Sequence, residues 1–411
     1  MRLARGVARR RTLTHVPAML TPEILPRLQS AIRDADVDGW LLYNFKGLNP
    51  IATGMLGLRG MLSRRIFVWI PASGQPVAVT HEIEQGPWAH WPSEWGRIVY
   101  SEWRALESAV ASLVQGKRAA MEYSAGDAVP YLDRVPAGVL EMVRAAGATV
   151  VSSGELVSRF YAAWSPAQVA SHEQTAEHLA RIAKEALARI GASVARAAPL
   201  AEYEVVDWIL AEFERCSLVI DHPPNVSATE NAANPHYAPS ASAPRHFRAG
   251  DLILIDLFAA DKSTGIIADQ TWMASIGAPS ARALEIWAAV RDARDAAIAL
   301  LRDRLASGGR VSGAAADDAA RRVITERGFG PYFTHRTGHS IDARDIHGSG
   351  PNLDNFETRD DRLLVPGVCF SIEPGVYIHG EIGERSEVNA VVRENGLLIT
   401  PRELQRDLIV V

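Results

Sequence analysis

Leu252-Ile-Leu-Ile-Asp256-Leu-Phe258 is apolar at every position but one. A strand of this composition is buried on both faces, where a lone carboxylate is costly unless its charge is offset. Asp269 stands in a second β-type run, Ile266-Ile-Ala-Asp269-Gln-Thr-Trp-Met273. Between the two runs, Asp261, Lys262, Ser263 and Gly265 suit a hairpin loop over 259–265. The hairpin is expected to set the two acids side by side, each making the other harder to ionise. A bound divalent cation would relieve both penalties, so further ligands are expected downstream.

Three more candidates follow. Glu373 closes the apolar run Val368-Cys-Phe-Ser-Ile372, and Pro374-Gly375 stop that strand. Glu387 lies in Arg385-Ser-Glu387-Val-Asn-Ala-Val-Val392, and the intervening His379-Gly-Glu-Ile-Gly383 suits a turn. Glu373 and Glu387 are therefore expected to pair across a second hairpin. His339 sits in the polar, glycine-punctuated stretch Thr334-His-Arg-Thr-Gly-His339-Ser340. Each of these residues alone reads more simply as a satisfied structural acid or an ordinary histidine; the joint pattern does not read as packing. Four carboxylates and one imidazole are too many ligands for one ion and fit two divalent ions. Oxygen-rich ligation favours Mn²⁺, with Zn²⁺, Co²⁺ or Fe²⁺ left open by ligand type.

The rest of the chain sets the frame. At 411 residues it exceeds one typical core, which predicts two domains. A net charge of −5 gives no reason to expect a nucleic-acid or anionic-membrane partner. No apolar run approaches the roughly 18 residues of a spanning helix. Cys216 and Cys369 are expected to be buried free thiols in a reducing cytoplasm. Residues 1–18, with Arg2, Arg5, Arg9, Arg10 and Arg11, read as a basic tail, disordered or upstream of a start at Met19. From 19 to 160 helix and strand alternate: a helix over 23–36, a strand from Gly39, a hairpin over 65–80, a strand over 118–123, a helix over 136–146 and a strand over 148–152. The cluster Trp88, His90, Trp91, Trp95 and Trp103 in this half reads as packing. Ser165-Pro166 opens a second domain, 161–411, with helices expected over 166–190, 202–214, 281–304 and 314–327.

Taken together, Gly250-Asp-Leu-Ile-Leu-Ile-Asp256, Asp269-Gln-Thr271, Gly338-His339, Ile372-Glu-Pro-Gly-Val-Tyr377 and Arg385-Ser-Glu387 resemble the pita-bread metallopeptidases. These include methionine aminopeptidase, aminopeptidase P and prolidase, with creatinase a metal-free relative. The resemblance covers about 165–411, and residues 19–160 are similar to the creatinase-type N-terminal domain. It implies an α/β creatinase-like N-terminal domain plus an α+β pita-bread catalytic domain. It also implies a dinuclear centre on Asp256, Asp269, His339, Glu373 and Glu387.

His236, His335 and His347 match positions that the proline-specific branch uses around the substrate. Read as residues alone, they fit a solvated turn, a turn cap and a strand end. Tyr377 and Arg385 are expected to orient ligands, or else to be ordinary core or surface residues. The implied reaction is hydrolysis of the Xaa-Pro bond at the N-terminus of short peptides. Glu373 would act as general base, and His347 and His236 would hold the substrate or the diolate. A compact chain favours Xaa-Pro dipeptidase (prolidase) over aminopeptidase P. A hydrolase or lyase of a small organic acid, and a binding protein that has lost catalysis, are the other readings; the last should lack ligands that this chain retains. A cytoplasmic homodimer is implied. The chain departs from the family's pattern in five places. The interval from Asp256 to Asp269 is two residues longer and that from His339 to His347 one longer; Asp342 replaces a glycine, Gly348 an acid and Trp272 an arginine.

Overall fold

The computed structural model describes residues 18–411 other than Met61, so the basic tail read over 1–18 lies, Ala18 aside, outside the described residues. The chain divides into two units, with the break between Ala162 and Ala163. In the first, β1 (Gly39–Asn44), β2 (Ile66–Pro71), β3 (Val77–His81), β4 (Gly96–Tyr100), β5 (Arg118–Met121) and β6 (Thr149–Ser152) form one mixed sheet ordered β4-β3-β2-β1-β5-β6. β1 has no polar face because both of its faces are covered. Trp40 and Leu42 pack with Leu28 and Ile32 of α1 (Leu25–Asp34) and Ile51 and Met55 of α2 (Pro50–Leu56). Leu41 and Tyr43 pack with Leu106 and Val110 of α3 (Trp103–Val114) and Leu140 and Val143 of α4 (Ala137–Ala145). A single turn, α5 (Gly154–Val157), adds Leu156 and Val157 to the first of these cores. The tryptophan cluster divides. Trp88, Trp91 and Trp95 stack edge to face at 5.3 and 4.8 Å, whereas Trp103 and His90 are exposed, so packing explains three of the five.

The second unit opens on α6 (Pro166–Ala195). Its N-terminus is fixed by a capping box: Ser165 Oγ accepts from the Gln168 amide, and the Gln168 side chain accepts from the Ser165 amide. α7 (Glu202–Arg215), β7 (Leu218–Val219) and β8 (Asn225–Ala228) lead to the carboxylate hairpin, β9 (Leu252–Asp261) and β10 (Ile267–Ser275). One face of this hairpin, with Ile253, Ile255, Leu257, Trp272 and Ala274, packs on α6 and α7. The other face starts with Leu252, Leu254 and Met273 under α8 (Ala281–Ala306) and continues to Asp256, Thr271 and Asp269. The register pairs Asp256 with Thr271 and Asp269 with Phe258. The two acids are thus side by side as expected, as diagonal neighbours on one face. β9 also runs on to Asp261, whose Oδ1 accepts from the Ser263 and Thr264 amides at 2.8 and 2.9 Å, so the loop is shorter than expected.

After α9 (Gly313–Glu326) come β11 (Ser340–Ile341), β12 (Cys369–Ile372), β13 (Gly375–Ile378), β14 (Ile382–Arg385), β15 (Val388–Arg393), β16 (Gly396–Thr400) and β17 (Ile409–Val410). β17 joins the first sheet, ordered β17-β10-β9-β7, in which β8 also pairs with β9; the second sheet is β11-β12-β15-β16. Ile372 pairs with Val388, and Gly375 pairs with Arg385. The two ladders share one register, so β12–β15 and β13–β14 form a single long hairpin, broken where Glu373-Pro374 faces Ser386-Glu387. A lone bridge between Thr271 and Glu387 joins the two sheets, and the Asp269 amide donates to Asn389 Oδ1 at 2.8 Å beside it. Both cysteines are free; Cys369 is buried as expected, but Cys216 is half-buried, its sulfur accepting from Arg181.

Of the two acids buried among the described residues of the first unit, Glu84 and Glu122, the second is the deeper. Glu122 is fully buried and accepts from Trp40 Nε1 at 2.6 Å, Asn49 Nδ2 at 2.8 Å and Ser153 Oγ at 3.1 Å. Burial pushes its pKa up to about 7, with the three donors restraining the rise. The folded chain therefore holds a proton there that the unfolded chain has lost. Stability is unaffected by this group at low pH, falls as pH rises from about 4.5 to about 7 and is level above that, a total of about 3 kcal/mol. Urea unfolding of this unit followed across that range should show the decline, and Glu122→Gln should flatten it.

Candidate metal centre

The candidate ligands sit where strands of both sheets end or cross. Asp269, His339 and Glu387 each offer a ligand atom within 4.8 Å of the others, and all three are buried. His339 Nε2 lies 3.5 Å from Asp269 Oδ2 and 3.4 Å from Glu373 Oε1. His339 Nδ1 is 3.2 Å from the Ser340 carbonyl oxygen, which can only accept, so Nδ1 carries the proton and Nε2 points a lone pair at the two carboxylates. Asp269 Oδ1 is buried with no hydrogen-bond partner among the described residues. Converging lone pairs and an orphaned carboxylate oxygen are what a cation between them would satisfy, and the donor set of carboxylates and one imidazole suits a hard or borderline divalent ion.

Asp256 is held differently. It forms an ion pair with the Arg385 guanidinium, whose Nε also donates to Thr271 Oγ1 at 2.8 Å. Thr271 in turn donates to Glu387 Oε2 at 2.7 Å. Four of the five candidates are thus linked through His339 or the Thr271 bridge, and Arg385 ties in the fifth. Electrostatics follow from this crowding. Burial raises Asp256 to about 6, with Arg385 opposing and Asp269 and Glu373 adding to the rise. Burial and the neighbouring acids Asp269 and Glu373 push Glu387 well above the carboxylate range. Burial also works against Glu373, but His339 and Arg385 outweigh it and hold that carboxyl low. Burial disfavours charge on His339, but the carboxylates of Asp269 and Glu373 at Nε2 more than reverse this, so that nitrogen calls for a positive partner, a proton or a cation, between it and the two acids. One positive charge is worth more here than at any exposed position.

Around this core stands a directional chain of hydrogen bonds. His335 Nδ1 donates to the Arg336 carbonyl oxygen at 2.7 Å, which leaves Nε2 to accept from the Tyr377 hydroxyl at 2.9 Å. Tyr377 Oη lies 3.5 Å from Arg385 Nη1, so the chain runs from His335 to Asp256. Burial lowers the pKa of His335 and keeps the ring neutral, as the chain requires. The His347 ring meets that of His339 edge-on at 4.4 Å; its pKa falls to about 4, first from desolvation and then from repulsion by His339 and other nearby cations. His236 is exposed, beyond the one-turn helix Asn231–Ala233, and lies near enough to act electrostatically on His347.

Three residues that carry the geometry were given no role from sequence. Thr271 and Asn389 lie two positions beyond Asp269 and Glu387, and Ser371 two before Glu373. Ser371 Oγ donates to Glu373 Oε1 at 2.9 Å and accepts from the His339 amide at 2.9 Å. The two-residue repeat of a strand puts each on the same face as its acid, a signal that could have found them.

Comparison with known proteins agrees with this architecture. A curated Xaa-Pro dipeptidase of Lactobacillus helveticus is 35% identical over 171 residues, 42% of this chain and 42% of that protein. The chain spans less than half the length of the curated relatives it matches. Among solved structures, the dipeptidase PepE from Mycobacterium ulcerans superposes with a TM-score of 0.69 at 23% identity, over 95% of this chain and 97% of its own. The Xaa-Pro dipeptidase from Bacillus anthracis gives 0.64 at 22% identity, over 95% and 99%. These two likenesses are of fold: an N-terminal α/β unit followed by a pita-bread unit. Residues 174–401 match the profile of Metallopeptidase family M24, and since that is more than half of the sequence, the chain belongs to this family.

Proposed function

We propose that this protein hydrolyses the bond between an N-terminal residue and proline in short peptides, as an Xaa-Pro dipeptidase. The observation that carries this reading is the meeting of Asp269 and Glu373 on the lone pair of His339, beside Glu387 and the Arg385-bound Asp256. In this reading Asp256, Asp269, His339, Glu373 and Glu387 hold two divalent ions, Mn²⁺ foremost. Bound ions of this kind acidify water and polarise a scissile carbonyl.

The chain's own residues supply the rest. Ser371 holds Glu373 by Oε1, which leaves Oε2 to take a proton from the attacking water and deliver it to the departing proline nitrogen. His347 and His236, on the open side, hold the substrate and meet the charge that develops on its carbonyl oxygen. The chain from His335 through Tyr377 to Arg385 fixes the orientation of Asp256. The relatives named Xaa-Pro dipeptidase support the choice of substrate.

The test is proline release from Xaa-Pro dipeptides and Xaa-Pro-Yaa tripeptides, after dialysis against chelator and re-addition of Mn²⁺, Co²⁺ or Zn²⁺. Metal-dependent turnover of dipeptides alone is expected, with Glu373→Ala lowering kcat by about 10²–10⁴-fold. Tripeptide cleavage after the first residue would indicate aminopeptidase P. No turnover of either by metal-loaded protein would reject the peptidase reading and direct attention to small organic acids. Metal should also stabilise the second unit, by about 2.7 kcal/mol at a free concentration 100 times Kd. Thermal melts with and without Mn²⁺ should show that rise in the wild type and a much smaller one in Asp269→Asn.

A further inference from the structure

His347 rides on a loop whose two ends meet on one side chain. Asp342 follows β11 directly and is buried. Its Oδ1 accepts from the amides of Arg344 at 2.7 Å and Asp345 at 2.8 Å, and its Oδ2 accepts from the Ser349 amide at 3.1 Å. One carboxylate thus clips the near and far ends of the loop that bears His347. Two backbone bonds close the same span: the Asp342 amide donates to the Asp345 carbonyl at 3.1 Å, and the Gly348 amide to the Ser340 carbonyl at 2.7 Å. The His347 amide donates to Asp345 Oδ1 at 3.1 Å.

Position 348 is shaped by the same acid. A Cβ there would lie 2.7 Å from the Asp342 backbone nitrogen and 3.0 Å from both Asp342 Cβ and Cγ. Two of these three contacts are to the Asp342 side chain and vanish when 342 is glycine; the third, to the backbone nitrogen, remains and asks the loop to give by a few tenths of an ångström. Side chains at 342 and 348 therefore compete for one space, and the chain fills it from 342.

We propose that Asp342 is a positioning residue that sets the place of the His347 ring, and that a carboxylate supplied from position 348 can do the same work once 342 is vacated. The proposal rests on the reading of His347 as a substrate-side group. A cap that merely stabilised the loop would give no reason for the two positions to be interchangeable.

The experiment compares wild type, D342G, G348D and the double variant D342G/G348D. Two readouts are taken: amide hydrogen exchange over 343–349, and kcat and KM for an Xaa-Pro dipeptide. Both single variants are expected to exchange faster over 343–349 and to lose about 100-fold in kcat/KM, the scale of a misplaced group at a reacting centre. The double variant is expected to regain exchange protection and to return to within about threefold of wild type, a strong coupling between neighbours. A double variant no better than the worse single, or a D342G protein with wild-type loop exchange, would overturn the proposal. Hydrogen exchange needs no substrate. If wild type cleaves no peptide, the functional reading fails visibly while the exchange comparison still decides whether Asp342 and position 348 share this role.

Discussion

Everything about the second unit depends on forcing like charges together inside a protein. Asp269 and Glu387 come from different sheets, are buried, and meet at a bridge that joins those sheets, Thr271 to Glu387. Repulsion between carboxylates at such separations amounts to several kcal/mol in a partly desolvated setting, enough to splay any loop that carried them. Strands resist this because their positions are set by backbone ladders and by apolar faces packed on α6 and α8. Arg385 offsets part of the charge from within the chain, through Asp256 directly and through Thr271 to Glu387. The geometry of the acids is therefore a property of the two sheets, and the electrostatic cost is met by their cores.

Much of this was legible in the sequence because it was written in apolar context. A carboxylate in a run such as Leu252 to Phe258 is anomalous on its own terms, and the same holds for Glu373 after Val368 to Ile372. Less legible was how the strands pair: register puts Asp256 opposite Thr271, and only the assembled ladder shows that the acids are diagonal neighbours. Thr271, Ser371 and Asn389 were passed over because hydroxyls and amides in strands are unremarkable singly; their meaning comes from sharing a face with an acid. In the first unit, short continuous apolar runs bounded by turn residues made β1 and the β2–β3 hairpin readable. Trp103 and His90 were grouped with buried tryptophans only because they are near them in sequence.

The departures from the family's pattern also take on physical sense. Trp272 stands next to Thr271 but faces the other way, into the core against α6, with its indole N–H donating to Gln270. A change there alters packing under the sheet and leaves the acid-bearing face alone. The longer interval between Asp256 and Asp269 is taken up beyond both acids, where β9 extends to Asp261 and the turn is tied off by that side chain.

The second hairpin has the same independence in stronger form. Because β12–β15 and β13–β14 keep one register through the break at Pro374, Glu373 and Glu387 stay opposed whatever lies at the far tip, where Gly380 makes the reversal. Residues added at that tip lengthen the arms without moving the acids; a single residue added between Glu373 and Gly375 would turn alternate side chains to the wrong face. Chain distance and spatial distance are thus uncoupled on one side of the acids and rigidly coupled on the other. Members of such a lineage are free to drift in tip length, and the few residues flanking Pro374 and Ser386 are where length is not negotiable.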